Sequence, residues 1–259
     1  MIAEEIKFRA HYYGDIMTGV AKGWDIDKSV TCKRRLVKIY REMMFDKRKG
    51  LSNKYIEKGL ATEEDAITLY SRYTKRFLKK NSERLSNDIY QGEVDLYIGE
   101  QLLGCEETID TKCSWDLDTF PTFFDKPDDD YVYQGLVYLD LTGAKRHTVV
   151  HALNNTPADL IMDEKRKLAW KMSIIDEETE AYKNACMEIE KNSIHDLPGF
   201  LKHYPHFDFH IDINNWKWDI PMKHRIHESV IERDEEKLKQ MRLRGFAARK
   251  WMEENLFKS

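Results

Sequence analysis

The spacing of apolar residues changes along the chain, and each change marks an element. Residues 1–28 are mixed, with Tyr12, Tyr13, Trp24 and glycines at 14, 19 and 23, and read as short helix or loop. Val30, Leu36, Val37, Ile39, Tyr40, Met43 and Met44 then recur at helical spacing, so a helix is expected from a Ser29 cap to about Phe45. A turn follows at 46–50. Thr62-Glu63-Glu64-Asp65 opens the next helix, since acids favour the positive end of the dipole. Ala66, Leu69, Tyr70, Tyr73 and Phe77 carry that helix on. From there the period shortens to two. Strands are expected at 82–89, 92–99 and 105–114, the last two joined through Gly99 and Gly104 as a β-hairpin. A loop with Pro121, Pro127 and the acids Asp128 to Asp130 leads to a helix at 131–141, closed by Gly143. Residues 146–153 alternate as a strand.

Beyond Asn154 the composition shifts. Helices are expected at 158–173 and 177–191, then a loop-rich stretch with Pro198, Pro205, Trp216 and Trp218. A strand at 223–231 and a helix at 234–256 close the chain, with Leu238, Met241, Leu243 and Phe246 as that helix's buried stripe. The fold class is α/β (α+β), a central mixed β-sheet flanked by helices. Residues 1–153 form the core with its N-terminal helices, 154–222 a helical, loop-rich insertion lobe, and 223–259 a strand and basic helix completing the core.

Composition narrows the function classes. The 259 residues are 41% hydrophobic and 34% charged, as in a water-soluble globular protein. No apolar run approaches a membrane span, and the charged start, Met1 to Lys7, carries no signal-peptide core. Cys32, Cys105, Cys113 and Cys186 form no CxxC pair, which points to a reduced, cytoplasmic setting and argues against an iron–sulfur cluster. His195, His203, His206 and His210 crowd one stretch, but no cysteine is near and the spacing fits no common zinc finger, so a lobe packing on the core is the reading. The net charge of −4 excludes a uniformly attractive surface for nucleic acid. Basic residues are instead concentrated, at Lys33 to Arg41, at Lys75 to Lys80, and between 237 and 250, where Lys237, Lys239, Arg242, Arg244, Arg249 and Lys250 stand without an acid.

Candidate chemistry lies in the hairpin. Val94, Leu96 and Ile98 share one face, so Asp95 points to the other. On the second strand Asp110 and Lys112 share a face. The hairpin therefore brings Asp95 and Asp110 close enough to hold one cation, with Lys112 beside them. Hard divalent cations take carboxylate and water oxygens, and a metal with a neighbouring lysine suits attack on phosphorus. Gln134 and Tyr138, four apart on the next helix, share a face.

These residues resemble the PD-(D/E)XK nuclease superfamily. Asp95 matches the first acid, Asp110-Thr111-Lys112 the D/E-x-K element, and Gln134-Gly135-Leu136-Val137-Tyr138 the Gln-x-x-x-Tyr motif of the RecB-like and lambda-exonuclease-like branches. Gly59, Glu63, Ala66 and Tyr70 look like the helix preceding the core in YqaJ-type phage exonucleases. The likeness covers roughly residues 55–155, with a weaker echo at 220–257. It implies a restriction-endonuclease-like core and a Mg²⁺-dependent deoxyribonuclease (Mn²⁺ as substitute), a phage-type recombination or repair exonuclease. Asp95, Asp110, the Thr111 carbonyl and Glu63 would bind metal. Lys112 would stabilise charge or orient water, and Gln134 and Tyr138 would support the site. Lys239, Arg242, Arg244 and Arg249 are the expected nucleic-acid contacts. DNA is the expected partner, with a single-strand annealing protein and a ring-shaped homo-oligomer implied by the likeness alone. The alternatives are a non-catalytic nucleic-acid-binding or scaffold protein on the same fold, and a metal enzyme with an unrelated substrate.

Overall fold

Caps decide where the long helices begin. Ser29 accepts from the Cys32 amide at 3.2 Å and starts α2 (Val30–Phe45), after a short β1 (Phe8–Arg9) and α1 (Tyr13–Met17). The buried face of α2 is Cys32, Leu36 and Ile39, while Val30 is 58% exposed. Helix α3 (Lys54–Thr74) starts nine residues before the acid run at 63–65, because Asn53 accepts from the Tyr55 and Ile56 amides, each at 3.0 Å. Glu63 is therefore mid-helix, and the helix dipole does not account for it. The structure is a computed structural model describing residues 6–19, 25–47, 50, 53–122, 126–174 and 179–257. Residue 23, Trp24, Phe123 and Phe124 lie outside the described residues.

Two sheets replace the three consecutive strands expected over 82–114. Strands β2 (Leu85–Ser86) and β3 (Tyr90–Gly92) form a small sheet with β1, in the order β1-β3-β2. Only at β4 (Leu96–Ile98) does the main sheet begin. There β4 pairs antiparallel with β5 (Glu107–Cys113), with Leu96 opposite Ile109, which continues to put Asp95 opposite Asp110. Gly99 (φ 151°) and Gly104 (φ 77°) supply the positive φ values of the connection. Strand β6 (Arg146–Ala152) is parallel to β5, so the chain must cross over between them. Helix α4 (Asp129–Thr142) is that crossover, and the acid run is its cap: Asp128 accepts from the Asp130 amide at 3.0 Å. Strand β7 (Ile226–Glu232) pairs antiparallel with β6 and completes the order β4-β5-β6-β7. Helix α3 covers one face of this sheet with Ala66, Ile67, Leu69 and Tyr70 against Leu96, Ile109, Val150 and Ile226. Helix α4 covers the other with Leu136, Val137 and Leu139, near Val149 and Ile231.

Helices α5 (Ala158–Lys171), α6 (Glu180–Ser193) and the unexpected α7 (Leu197–His203) gather a separate cluster of Ile161, Ile194, Leu197 and Phe200, joined by Phe207, Phe209 and Trp216. Within this lobe a buried Lys165–Glu190 pair (2.6 Å) also meets His210, whose Nδ1 is 3.1 Å from the lysine. Helix α8 (Glu235–Asn255) is rotated from the expected orientation. Leu238, Met241, Gly245, Ala248 and Met252 face inward, whereas Leu243 and Phe246 are 53% and 51% exposed. A Cβ at Gly245 would come within 2.4 Å of Ile89 and the Tyr13 hydroxyl, so the missing side chain lets α8 approach. Among the described residues no helix is long and apolar enough to cross a membrane.

Lys58 sits on the inner face of α3, fully buried, and donates to the Trp115 carbonyl at 2.7 Å. Burial pulls its pKa from 10.5 down to about 7. The unfolded chain then holds more protons than the folded one between about pH 7 and 10.5, so this group makes the protein more stable as pH rises through that window, and its cost is full below it. A displacement of that size corresponds to roughly 5 kcal/mol, offset by one hydrogen bond to a charged donor of about 1.5–3 kcal/mol. Lys58→Met should thus stabilise the protein by about 2–3 kcal/mol at pH 6, and the gain should vanish near pH 10. Urea unfolding of both proteins across pH checks this; a gain independent of pH would mean that burial does not displace the pKa of this lysine.

Candidate active site

The hairpin register and the α4 crossover together assemble one polar face. Asp110, 3% exposed, lies mid-strand on β5 and contacts the Lys112 ammonium directly. Asp95, in the bend just before β4, accepts from the Thr111 amide at 2.7 Å and the Thr111 hydroxyl at 3.0 Å. Two carboxylates and a lysine are thereby held on adjacent strands. From above, α4 supplies Tyr131, whose ring lies 5.2 Å from the Lys112 ammonium, and the pair Gln134 and Tyr138, in which the amide donates to the hydroxyl at 2.9 Å. Gly92 lets the Tyr138 ring in: a Cβ there would come within 2.8 Å of it.

The electrostatics follow from burial and crowding. Burial first, then the nearby Asp110 charge, raises the Asp95 pKa well above the usual carboxylate range, against the pull of the Thr111 hydrogen bond and Lys112. Burial alone would lower the Lys112 pKa, but Asp110 and Asp95 outweigh it, so the ammonium is held above its ordinary value. Burial, then Asp110, likewise raises the Tyr138 phenol, which stays neutral as a hydrogen-bond partner. The face is thus short of positive charge: two acids repel each other with one lysine between them.

Other expected site residues go elsewhere. Glu63 pairs with Lys80 at 3.0 Å, from a helix that covers the opposite face of the sheet, and does not join Asp95 and Asp110. Among the described residues no three His, Cys, Asp or Glu side chains converge as a metal cluster. On α8 half of the expected nucleic-acid face is internal. Arg244 is fully buried and donates to the Ile16 carbonyl at 3.0 Å. Arg249, 8% exposed, bonds the Ile6 carbonyl at 2.8 Å. Arg242 pairs with Asp140, and of the four only Lys239 is exposed without an ion pair among the described residues. These arginines hold the N-terminal segment against the core, because carbonyl oxygens rather than water satisfy their donors.

Several residues of this face escaped the sequence pattern. His147 is buried beside Tyr138 (ring centroids 5.4 Å apart) and bonds Thr108 at 2.9 Å. His151 and His227 lie level with Lys112 on the next two strands. Their alternation within β6 and β7 was visible; their alignment with Lys112 was not, since it depends on pairings between distant segments.

No family model and no curated protein matches the chain. Solved structures do. A phage-related exonuclease from Haemophilus somnus 129PT superposes with a TM-score of 0.67, covering 98% of this chain and 96% of that one at 22% identity. The alkaline exonuclease LHK-Exo from Laribacter hongkongensis matches with a TM-score of 0.54 over 95% of this chain and 88% of its own, at 13% identity. Its complex with dAMP gives the same figures. The chain has the fold of these exonucleases.

Proposed function

We propose that the protein is a divalent-cation-dependent DNA exonuclease. One observation carries the reading: on a fold shared with exonucleases, Asp95, Asp110 and Lys112 meet on one buried face. The donors suit a hard cation. Asp95 and Asp110 are two carboxylates at matching register, and burial, then the Asp110 charge, raises the Asp95 pKa in a way that a cation would relieve. Those carboxylates, with the Thr111 carbonyl, would hold Mg²⁺ or Mn²⁺. When bound, such an ion supplies positive charge to a phosphoryl oxygen and acidifies water. Lys112, oriented by Asp110 and the Tyr131 ring, places its ammonium where charge grows on phosphorus. Gln134 and Tyr138 keep this side of the site dry and fixed. Glu63 would serve only after giving up Lys80.

The DNA path is assigned to the segment after α3 and to Lys239. Arg72, Lys75, Arg76 and Lys79 are exposed, and Asn81 ties the segment to the site by donating its amide to the Asp95 carbonyl at 2.7 Å. On the same reading the cellular role is phage-type recombination or repair, with a single-strand annealing protein receiving the product and a homo-oligomer as the working form.

The test is end-labelled linear duplex, each end labelled separately, with circular DNA as control, in Mg²⁺ and in chelator. Wild type should release label only from linear DNA and only with the cation. Lys112→Ala should lose roughly 10²-fold or more in turnover, the scale of one preorganised charge-stabilising group, with little change in DNA affinity in Ca²⁺. No cleavage by wild type, or a Lys112→Ala loss confined to affinity, would remove this reading of the site.

A further inference from the structure

Beside the acid site lies a cavity lined in part by rings. The register aligns Lys112 on β5 with His151 on β6 and His227 on β7, all on the face under α4. Tyr131 bridges the row: its ring is 5.2 Å from the Lys112 ammonium and 5.7 Å from the His151 ring. The His151 and His227 rings are 6.2 Å apart, and His227 Nε2 lies 3.3 Å from the Ser229 hydroxyl. Tyr131, His151, His227, Ser229 and Phe120 line a cavity of about 310 Å³, together with Asp118, Lys126, Asp128 and neighbouring residues of the loop before α4.

Resting on the nuclease reading, we propose that this cavity is a nucleobase subsite: it takes the unpaired base of the nucleotide whose phosphate lies at Lys112. Adjacent strands are about 4.8 Å apart, so His227 lies about 10 Å across the sheet from Lys112. That is the reach of one nucleotide from its phosphorus to the far edge of its base. Lys112 provides the charge at the phosphate end, and Tyr131 is shared between both ends. Phe120, Tyr131, His151 and His227 offer π faces, which every base can stack on; Ser229 and Thr119 offer polar edges, and the Asp118 and Asp128 carboxylates outnumber Lys126 at the rim and oppose a second phosphate. A second phosphate is the poorer fit. Burial, then His227 and Lys112, pulls His151 down to about 4, so this ring is neutral near pH 7 and gives an anion no charge. The terminal nucleotide must therefore leave its stack before cleavage, and the enzyme reads the presence of a base without reading its sequence.

The experiment compares wild type, His227→Ala and His227→Phe, which keeps a ring on the half-buried outer strand. Linear duplexes ending in a normal or an abasic nucleotide, at either end, are used for binding in Ca²⁺ and single-turnover cleavage in Mg²⁺. Wild type should prefer the normal end by roughly 5- to 100-fold, the value of one base–aromatic stack. His227→Ala should lose most of this preference and His227→Phe should keep most of it. Hydrolysis of bis(p-nitrophenyl) phosphate, which has no base, should be equal in all three. Equal use of normal and abasic ends by wild type, or an unchanged preference in His227→Ala, overturns the subsite. Direct binding of deoxyguanosine monophosphate against deoxyribose 5-phosphate decides the subsite even if wild type cleaves nothing: a preference for the former that His227→Ala loses supports it, and none overturns it. Absence of cleavage by wild type overturns the nuclease reading separately.

Discussion

Asp110→Asn is expected to reduce cleavage by at least about 10³-fold while the protein keeps its fold. The scale exceeds the 10²–10³ of a single preorganised donor because two functions go at once. A hard cation loses one of its two carboxylates, and amide oxygen is a poor replacement for charge. Lys112 also loses the partner that fixes its ammonium. The fold should survive for a compensating reason. Asp110 is a main source of the stress on Asp95, after burial, and removing its charge lets Asp95 ionise more readily. Lys112 retains solvent access, with its side chain 26% exposed, and keeps the Tyr131 ring. Circular dichroism and urea unfolding should therefore show a change of about 1 kcal/mol or less, within the range of a substitution that removes a strained charge. Titration calorimetry with Mn²⁺ should show weakened binding without DNA present. Full turnover in the purified variant, or unchanged Mn²⁺ binding, would take Asp110 out of the site.

What the sequence disclosed, and what it hid, follows from the range of the contacts involved. The acid pair and Lys112 were legible because a hairpin is local: period two fixes which side chains share a face, and Gly99 and Gly104 fix the turn. Helix ends were legible where a single cap was the best available, as at Ser29 and Asp234. The start of α3 was not, because the acid run at 63–65 imitates an N-terminus while the true cap, Asn53, precedes a polar turn. The break between β3 and β4 was hidden for another reason. Residues 92–98 alternate without interruption, yet β3 belongs with Phe8–Arg9, some eighty residues earlier. No local rule announces that pairing, nor the one that sets His227 level with Lys112. Helix α8 shows the limit of hydrophobicity itself. Leu243 and Phe246 are the more apolar choice for its inner face, but Gly245 and Ala248 allow closer approach, and buried arginines are accepted wherever carbonyl oxygens meet them.

Arg244→Ala is accordingly expected to destabilise the protein by about 3–5 kcal/mol and to leave DNA binding by the folded protein unchanged. Arg244 is the largest fully buried side chain described, and its guanidinium donates to the Ile16 carbonyl at 3.0 Å and touches Cys32. Truncation leaves a void comparable to or larger than that of a buried Leu→Ala change, for which about 2.7–5.0 kcal/mol is usual. It also strands a buried carbonyl, at about 1–3 kcal/mol, and partial collapse of the void keeps the total near the stated range. At about 2–4 °C per kcal/mol for a chain of this size, the midpoint of thermal unfolding should fall by roughly 6–20 °C. The salt dependence gives the discriminating readout. A lost phosphate contact lowers the slope of log affinity against log salt by about 0.9 for duplex DNA. Arg244→Ala, measured below its unfolding temperature in Ca²⁺, should keep the wild-type slope, whereas Lys239→Gln should lower it where Lys239 meets a phosphate. A stable Arg244→Ala protein with a reduced slope would mean that this side chain turns outward to the nucleic acid, and that α8 is the basic face its composition suggests.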